Sequence, residues 1–199
     1  MKRMWFVRHG EASHNPFIVQ GKKENDAELL KKGRSILDPK LTDTGKQQAQ
    51  GLRAQLEAEK RTFDVVVTTP MSRALETAHI AFSGIAGGFI VTPEETETAK
   101  PELGAPQKGR SLAEIRSELL FTADWDFSPT VEGANWNLRV DDGVGGFVHP
   151  QPVEERLETF KIWLRSLPYE KIVVVGHSGV FDKLLGRNMS NCEIISMEI

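Results

Sequence analysis

Short apolar runs rich in β-branched residues are the feature that most restricts how this 199-residue chain can fold. Four segments are predicted to be strands, at about residues 3–8, 64–69, 89–92 and 171–176. Three of them are near-continuous apolar runs without alternation, which is typical of strands covered by helices on both faces. The sequence therefore predicts an α/β protein, a three-layer sandwich with a mostly parallel central sheet flanked by helices.

Helical patterns lie between the predicted strands. Thr42 or Asp43 supplies an N-cap signal ahead of one polar helix, and Ser111 with Glu114 has the spacing of a capping box. Two more amphipathic helices are predicted over residues 72–81 and 153–167. Alternating strands and helices of this kind favour right-handed crossovers within one sheet.

The chain is most simply a single domain over residues 1–199, since its length suffices for one substantial core. Two stretches, residues 13–40 and 121–150, fit no regular element. Irregular segments of that length in a compact domain are usually either functional covers or disordered.

Composition narrows the function classes. The formal net charge of −3 gives no general attraction to nucleic acid or to an anionic membrane. Cys192 is the one cysteine, so an internal disulfide is impossible, and we expect a bystander thiol. No stretch approaches the roughly 18 consecutive apolar residues of a membrane span, and the apolar run before Arg8 is shorter than a signal-peptide core. We expect a cytoplasmic protein that binds neither nucleic acid nor membrane.

Charged and titratable residues follow the predicted strands. Arg8 and His9 follow the first, Arg73 comes soon after the second, and His177 with Ser178 follows the fourth. The third strand leads into an acidic stretch that contains Glu94, Glu95, Glu97 and Glu102. Ligands of open α/β sheets bind outside the carboxyl ends of the strands. We therefore expect two arginines, two histidines and a carboxyl group at one edge.

This set of groups suits the transfer of a phosphoryl group. Arg8 and Arg73 can hold phosphate oxygens with fork-shaped hydrogen bonds. A neutral imidazole can attack phosphorus, and the nearby arginines should lower its pKa. The second histidine can stabilise charge on the transferring group, and a carboxylic acid can protonate the leaving oxygen. Ser178 either donates to phosphate or caps a helix that starts there.

Several motifs occur together in one order along the chain: Arg8-His9-Gly10-Glu11, Leu41-Thr42 with Gly45 and Gln48-Ala49, Arg73-Ala74 with Thr77-Ala78, and Gly176-His177-Ser178-Gly179. In this combination the chain resembles the histidine phosphatase superfamily, also called the phosphoglycerate mutase-like proteins. The resemblance implies that His9 is a phosphohistidine nucleophile and that Arg8, Arg73 and His177 bind the phosphoryl group. It also implies a phosphate contact for Asn15, a substrate cover built from the two irregular stretches, and neither metal nor organic cofactor.

The general acid is placed by the resemblance after the third strand. Glu102, in Lys100-Pro101-Glu102-Leu103, matches that position best, and Glu97 is the second choice.

Departures from the mutase pattern bear on the reaction. Ala12 and His14 stand where phosphoglycerate mutases carry serine and tryptophan, and their Glu-Arg-His-Tyr-Gly segment is absent. The sequence therefore predicts a phosphatase that hydrolyses a small phosphomonoester. The alternatives are mutase-type phosphoryl transfer and a family member that binds phosphate without catalysis.

Other prominent residues have plainer interpretations. His14 is expected at the pocket rim or on the surface, because a metal pair with His9 lacks carboxylate and cysteine partners. His79 and His149 are expected to be ordinary surface or packing residues. Three aromatic residues before the last predicted helix pattern are expected either to pack in the core or a loop or to contact substrate: Trp125, Phe127 and Trp136.

Overall fold

A five-stranded sheet between two layers of helices forms the body of the molecule. The computed structural model describes residues 2–93, 109–130, 140–141, 147–148 and 153–199. The strands of the sheet are β1 (Arg3–Arg8), β2 (Val65–Thr68), β3 (Phe89–Val91), β6 (Ile172–Gly176) and β7 (Ile194–Glu198), and a separate pair is β4 (Val140–Asp141) with β5 (Phe147–Val148). The described helices are α1 (Asn15–Glu24), α2 (Ala27–Ser35), α3 (Asp43–Ala58), α4 (Ser72–Phe82), α5 (Leu112–Glu118), α6 (Val153–Ser166) and α7 (Ser178–Leu185).

The strand order in the sheet is β3-β2-β6-β1-β7. The first four strands run parallel and coincide with the four predicted strands, which confirms the mostly parallel α/β architecture. β1 lies beside β6, and their register pairs Arg8 with Gly176. The two ends of the chain therefore meet in the middle of the sheet.

Each face of the sheet has its own core. Successive side chains of a strand point to opposite faces, and Val173 and Val175 of β6 pack with α3, α4 and α5. Ile172 and Val174 point to the other face, where they pack with α6 and α7. All four side chains are fully buried. This two-sided burial explains why the predicted strands are continuously apolar.

The prediction that residues 13–40 lack regular structure is wrong, because α1 and α2 occupy most of that stretch. The two helices pack closely through glycines. A Cβ atom on Gly21 would lie 2.9 Å from a side-chain carbon of Leu30, and one on Gly33 would lie 2.9 Å from Ile18. The fully buried positions of these helices are the glycines, which add no apolar residue to a sequence pattern at the points of closest contact.

The structure also adds a strand that the sequence pattern does not predict. β7 pairs antiparallel with β1 at the edge of the sheet, and its residues are partly or fully exposed.

Residues 121–130 are also more regular than expected. A 3₁₀ turn spans Leu120–Thr122, and both Trp125 and Phe127 pack into the core. None of the described helices is long and apolar enough to cross a bilayer.

Both predicted capping signals are confirmed. The Thr42 hydroxyl accepts a hydrogen bond from the Gly45 N–H at 3.0 Å and caps α3. Ser111 and Glu114 form the reciprocal bonds of a capping box at the start of α5. Thr42 therefore fixes where α3 begins, directly beside the segment that follows β1.

The first turn of α3 touches the segment after β1 backbone to backbone. A Cβ atom on Gly45 would lie 2.0 Å from the carbonyl oxygen of Glu11, and one on Gly10 would lie 2.6 Å from the carbonyl oxygen of Gly45. Neither position has room for a side chain, because the opposing atoms belong to the backbone and cannot rotate away.

We expect Gly45→Ala to lower the free energy of unfolding by about 2 kcal/mol or more, the scale of overpacking a tight contact. Gly51→Ala is the matched control, since Gly51 lies on the same helix with open space around it. That change should instead stabilise the protein by about 0.5–1 kcal/mol through helix propensity. Urea unfolding of both variants checks this, and equal effects would contradict it.

Candidate active site

The carboxyl ends of β1 and β6 bring two histidines together. The His9 N–H donates to the Gly176 carbonyl at 3.0 Å, which continues the pairing of the two strands by one residue. The rings of His9 and His177 then meet edge to face, with centroids 5.2 Å apart. His9 is 3% exposed and His177 is fully buried. The structure thus joins residues from opposite ends of the sequence in one buried place.

The tautomer of His9 follows from its partners. Its Nδ1 lies 2.7 Å from the Gly10 carbonyl oxygen, which can only accept, so Nδ1 carries the proton. Its Nε2 therefore holds a lone pair and accepts from the Arg73 Nε–H at 3.3 Å. His9 is a neutral imidazole whose Nε2 lone pair accepts from an arginine.

Arg73 reaches His9 from α4 and is 1% exposed. Thr77, one turn later on that helix, ties α4 to the segment after β1. Its hydroxyl donates to the Arg73 carbonyl at 2.7 Å and accepts from the Gly10 N–H at 3.0 Å. One side chain therefore fixes the distance between the backbone of Arg73 and the backbone next to His9.

The loop between α7 and β7 holds the other side of this segment. Arg8 donates through Nη1 to the Met189 carbonyl at 2.8 Å, and its own carbonyl accepts from the Cys192 N–H at 2.9 Å. The Asn191 amide donates to the His9 carbonyl, also at 2.8 Å. These bonds immobilise the backbone of both Arg8 and His9.

The start of α3 clamps Glu11 from the opposite direction. The Thr42 hydroxyl donates to Glu11 Oε1 at 2.7 Å, and the Gln48 side-chain oxygen accepts from the Glu11 N–H at 2.8 Å. The motif residues Thr42, Gly45 and Gln48 therefore help to position the segment after β1, which carries His9.

Thr69, which the sequence does not predict as a site residue, places its hydroxyl 3.3 Å from Nε2 of His177. Two predicted residues, Asn15 and Ser178, lie next to this centre. Asn15 begins α1, and its Oδ1 accepts from the Ala12 N–H at 2.8 Å. Ser178 begins α7 beside His177, and its hydroxyl donates to Asn188 Oδ1 at 3.3 Å.

Burial and positive charge both favour neutral imidazoles here. The pKa of His9 lies well below its usual value of 6.5, chiefly because of burial and then because of Arg73 and Arg8, while the bond to Gly10 opposes the shift. The pKa of His14 falls to about 3 for the same reasons, burial first and then the two arginines. His14 therefore lies within reach of the arginine charges.

Thiol chemistry and metal binding have less support among the described residues. Burial raises the pKa of the Cys192 thiol to about 12 against the opposing charge of Arg8, so it remains protonated. No group of three or more His, Cys, Asp or Glu side chains in that part of the chain is placed to hold a metal ion. His79 stacks on Phe121, and its Nδ1 lies 2.9 Å from the Ser83 hydroxyl, so it packs as expected.

Asp38 supports the start of α4 and has no motif of its own. Its buried carboxylate accepts from the Ser72 N–H at 2.9 Å and from the Ser72 hydroxyl at 2.6 Å. Arg110 donates to the same carboxylate at 3.0 Å and to the Ser72 hydroxyl, also at 3.0 Å. This network fixes the residue directly before Arg73.

Some predicted residues lie outside the described part of the chain. They include both candidates for the general acid, Glu102 and Glu97, and also Trp136 and His149.

Four residues have positioning roles that the sequence analysis does not assign: Thr77, Thr69, Asn191 and Asp38. Thr77 had a usable signal, since it shares a helix face with Arg73 four residues earlier. The other three act across long sequence separations that no local pattern reveals.

Comparison with known proteins gives matches over nearly the whole chain. The family model described as "Histidine phosphatase superfamily (branch 1)" matches residues 4–194. A Schizosaccharomyces pombe protein named "probable phosphatase" is 37% identical over 81 residues, which is 41% of this chain and 32% of that protein. The match thus spans about a third of the length of that relative.

Two solved structures share the fold. The α-ribazole phosphatase of Shigella flexneri has a TM-score of 0.62 and 20% identity, over 99% of this chain and 90% of that one. The phosphoglycerate mutase of Thermus thermophilus has a TM-score of 0.53 and 21% identity, over 98% and 92% of the two chains. The fold is thus similar to that of both a phosphatase and a mutase.

We expect Thr77→Val to lower the free energy of unfolding by about 1–3 kcal/mol, because it leaves the buried Gly10 N–H without its acceptor. Thr77→Ser keeps the hydroxyl and is the matched control, with a smaller loss from one missing methyl group. Urea unfolding at pH 7.5 compares the two variants. Equal losses would show that the methyl group, and not the hydroxyl, matters.

The lowered histidine pKa values predict acid sensitivity. A histidine whose folded pKa lies below its unfolded value of 6.5 contributes stability above pH 6.5 and loses it as the pH falls toward the folded pKa. For His14 that window runs from pH 6.5 down to about 3. We expect the free energy of unfolding to fall by up to about 1.4 kcal/mol per pH unit for each such histidine.

Urea titrations at pH 7.5, 6.5, 5.5 and 4.5 measure this slope. His14→Gln removes one titrating group, so its slope should be shallower than that of the wild type. Parallel slopes for the two proteins would contradict the prediction.

Proposed function

This chain belongs to the histidine phosphatase superfamily, and we propose that it is a phosphatase that hydrolyses a small phosphomonoester through a phosphohistidine at His9. One observation carries the proposal: a buried, neutral His9 whose Nε2 lone pair faces Arg73, with His177 against its ring. An imidazole held in this state is a ready nucleophile. The arginines around it supply the positive charge that a phosphate dianion needs.

The first step would form a bond between His9 Nε2 and phosphorus while the bond from phosphorus to the ester oxygen breaks. The bonding electrons leave with that oxygen, which needs a proton from a carboxylic acid. Glu102, with Glu97 as second choice, remains our prediction for this acid. A water molecule would then attack phosphorus and give a proton to the carboxylate left by the first step, while the electrons of the bond to Nε2 return to that nitrogen and inorganic phosphate is released.

The surrounding residues would act by electrostatics and position. Arg8 and Arg73 would bind the phosphoryl oxygens, with His177 and Asn15 as further donors and Ser178 at the edge of the site. The bond between His9 Nδ1 and the Gly10 carbonyl orients the attacking ring. It also stabilises the positive charge that the imidazole acquires when Nε2 bonds to phosphorus.

Hydrolysis is favoured over mutase chemistry by the sequence around the site. Ala12 and His14 replace the serine and tryptophan of the mutase pattern, and the Glu-Arg-His-Tyr-Gly segment is absent. The Schizosaccharomyces pombe relative is also named as a phosphatase. From the composition of the chain we also propose that the protein is cytoplasmic.

We expect His9→Ala to lower kcat/KM for p-nitrophenyl phosphate by at least about 10⁴-fold, because the nucleophile is lost. His79→Ala is the matched control, because His79 packs on Phe121 away from the site. A denaturing quench at alkaline pH, where phosphohistidine is stable, should trap phosphate on a histidine of the wild-type protein during turnover, and His9→Ala should remain unlabelled.

The rivals give different results in the same assays. A mutase would interconvert phosphoglycerates and release little phosphate without a bisphosphorylated primer. A non-catalytic binding protein would bind inorganic phosphate but would neither release it from an ester nor acquire a label. Either pattern from the wild-type protein would overturn the proposal.

A further inference from the structure

His14 is a partly buried histidine in the site for which the reaction above has no use. It immediately precedes α1 and makes no side-chain bond that would cap this helix. Its Nδ1 is shielded from solvent and has no hydrogen-bond partner among the described residues. A buried polar group without a partner costs stability, so its presence calls for a physical reason.

The tautomer of His14 follows from Asn15. The Ala12 N–H can only donate, so the Asn15 atom that accepts from it at 2.8 Å is Oδ1. The other amide atom is therefore Nδ2, which lies 3.2 Å from His14 Nε2 and must donate to it. Nε2 accepts, and the proton of the neutral ring is on Nδ1. The atom without a partner is thus an N–H donor.

The surroundings of this donor favour an anion. Burial, and after it the charges of Arg73 and Arg8, lower the pKa of His14 and keep its ring neutral. Two guanidinium groups offer only further donors, so no acceptor for Nδ1–H comes from them. A phosphoryl group bound between these arginines would bring oxygens that accept.

We propose that His14 is a substrate-binding residue whose Nδ1–H donates to a phosphoryl oxygen, while its Nε2 holds the Asn15 amide in position. The inference rests on the proposed phosphatase function and adds a contact to the same site. In this arrangement the Ala12 N–H fixes the orientation of the Asn15 amide, and that amide in turn fixes the tautomer of His14. No proton is transferred in this role.

Two substitutions separate the two nitrogens. Gln reaches about as far as Nε2 and can still accept from Asn15, but it places no donor at the Nδ1 position. Asn places its amide nitrogen near the Nδ1 position but is too short to reach Asn15. His14→Gln should therefore lose the phosphate contact, and His14→Asn should keep it.

The test measures kcat/KM for p-nitrophenyl phosphate and the Kd of inorganic phosphate at pH 7.5. For His14→Gln we expect both to weaken about 10- to 100-fold, as for the loss of a hydrogen bond to a charged group. His14→Asn keeps a donor near the Nδ1 position and loses the contact with Asn15, so it should weaken both quantities by clearly less than His14→Gln. His79→Gln is a histidine control outside the site and should change neither quantity. Urea unfolding confirms that each variant is folded.

If His14 had only a structural role, adding phosphate would not shift the resonances of its ring. Long-range ¹H–¹⁵N spectra of the ligand-free protein should show His14 protonated on Nδ1, and inorganic phosphate should shift that resonance. Three results would overturn this inference without affecting the proposed function. They are wild-type activity in His14→Gln, equal losses in the two variants, and an Nδ1 signal that phosphate does not shift. A wild-type protein that releases no phosphate from any ester would instead overturn the proposed function.

Discussion

The parallel pairing of β1 with β6 is the constraint on which the site depends. It sets Arg8 beside Gly176, and the bond from the His9 N–H to the Gly176 carbonyl extends the register by one residue. Because parallel strands end at the same edge, the residues that follow them must meet. His9 and His177 are neighbours through backbone geometry alone, before any side-chain interaction is considered.

The segment after β1 is then fixed from three directions by elements far apart in the sequence. α3 reaches it through the close contact at Gly45, α4 through the Thr77 hydroxyl, and the loop before β7 through Asn191. Each contact is made with backbone atoms of the segment, so the side chain of His9 remains available to a ligand. Such over-determination is what holds a catalytic geometry within fractions of an ångström.

How far the sequence predicts this molecule depends on the range of the interaction. β2 and β6 are predictable because burial on both faces makes them continuously apolar, and the cap at Thr42 because it is local. Helix α1 escapes prediction because it packs through Gly21, and glycine carries no periodic signal. The role of Asn191 escapes because its partner lies 182 residues away along the chain.

The two histidines near β1 show how one tautomer can serve two purposes. Both rings are neutral with the proton on Nδ1, in the surroundings of the same arginines. In His9 the Gly10 carbonyl accepts from Nδ1–H, and the lone pair on Nε2 faces Arg73. In His14 the Asn15 amide donates to the lone pair on Nε2, and the Nδ1–H has no partner among the described residues. In the proposed reaction, the hydrogen bond at the other nitrogen of each ring would therefore decide whether the ring acts as a nucleophile or as a donor toward phosphate.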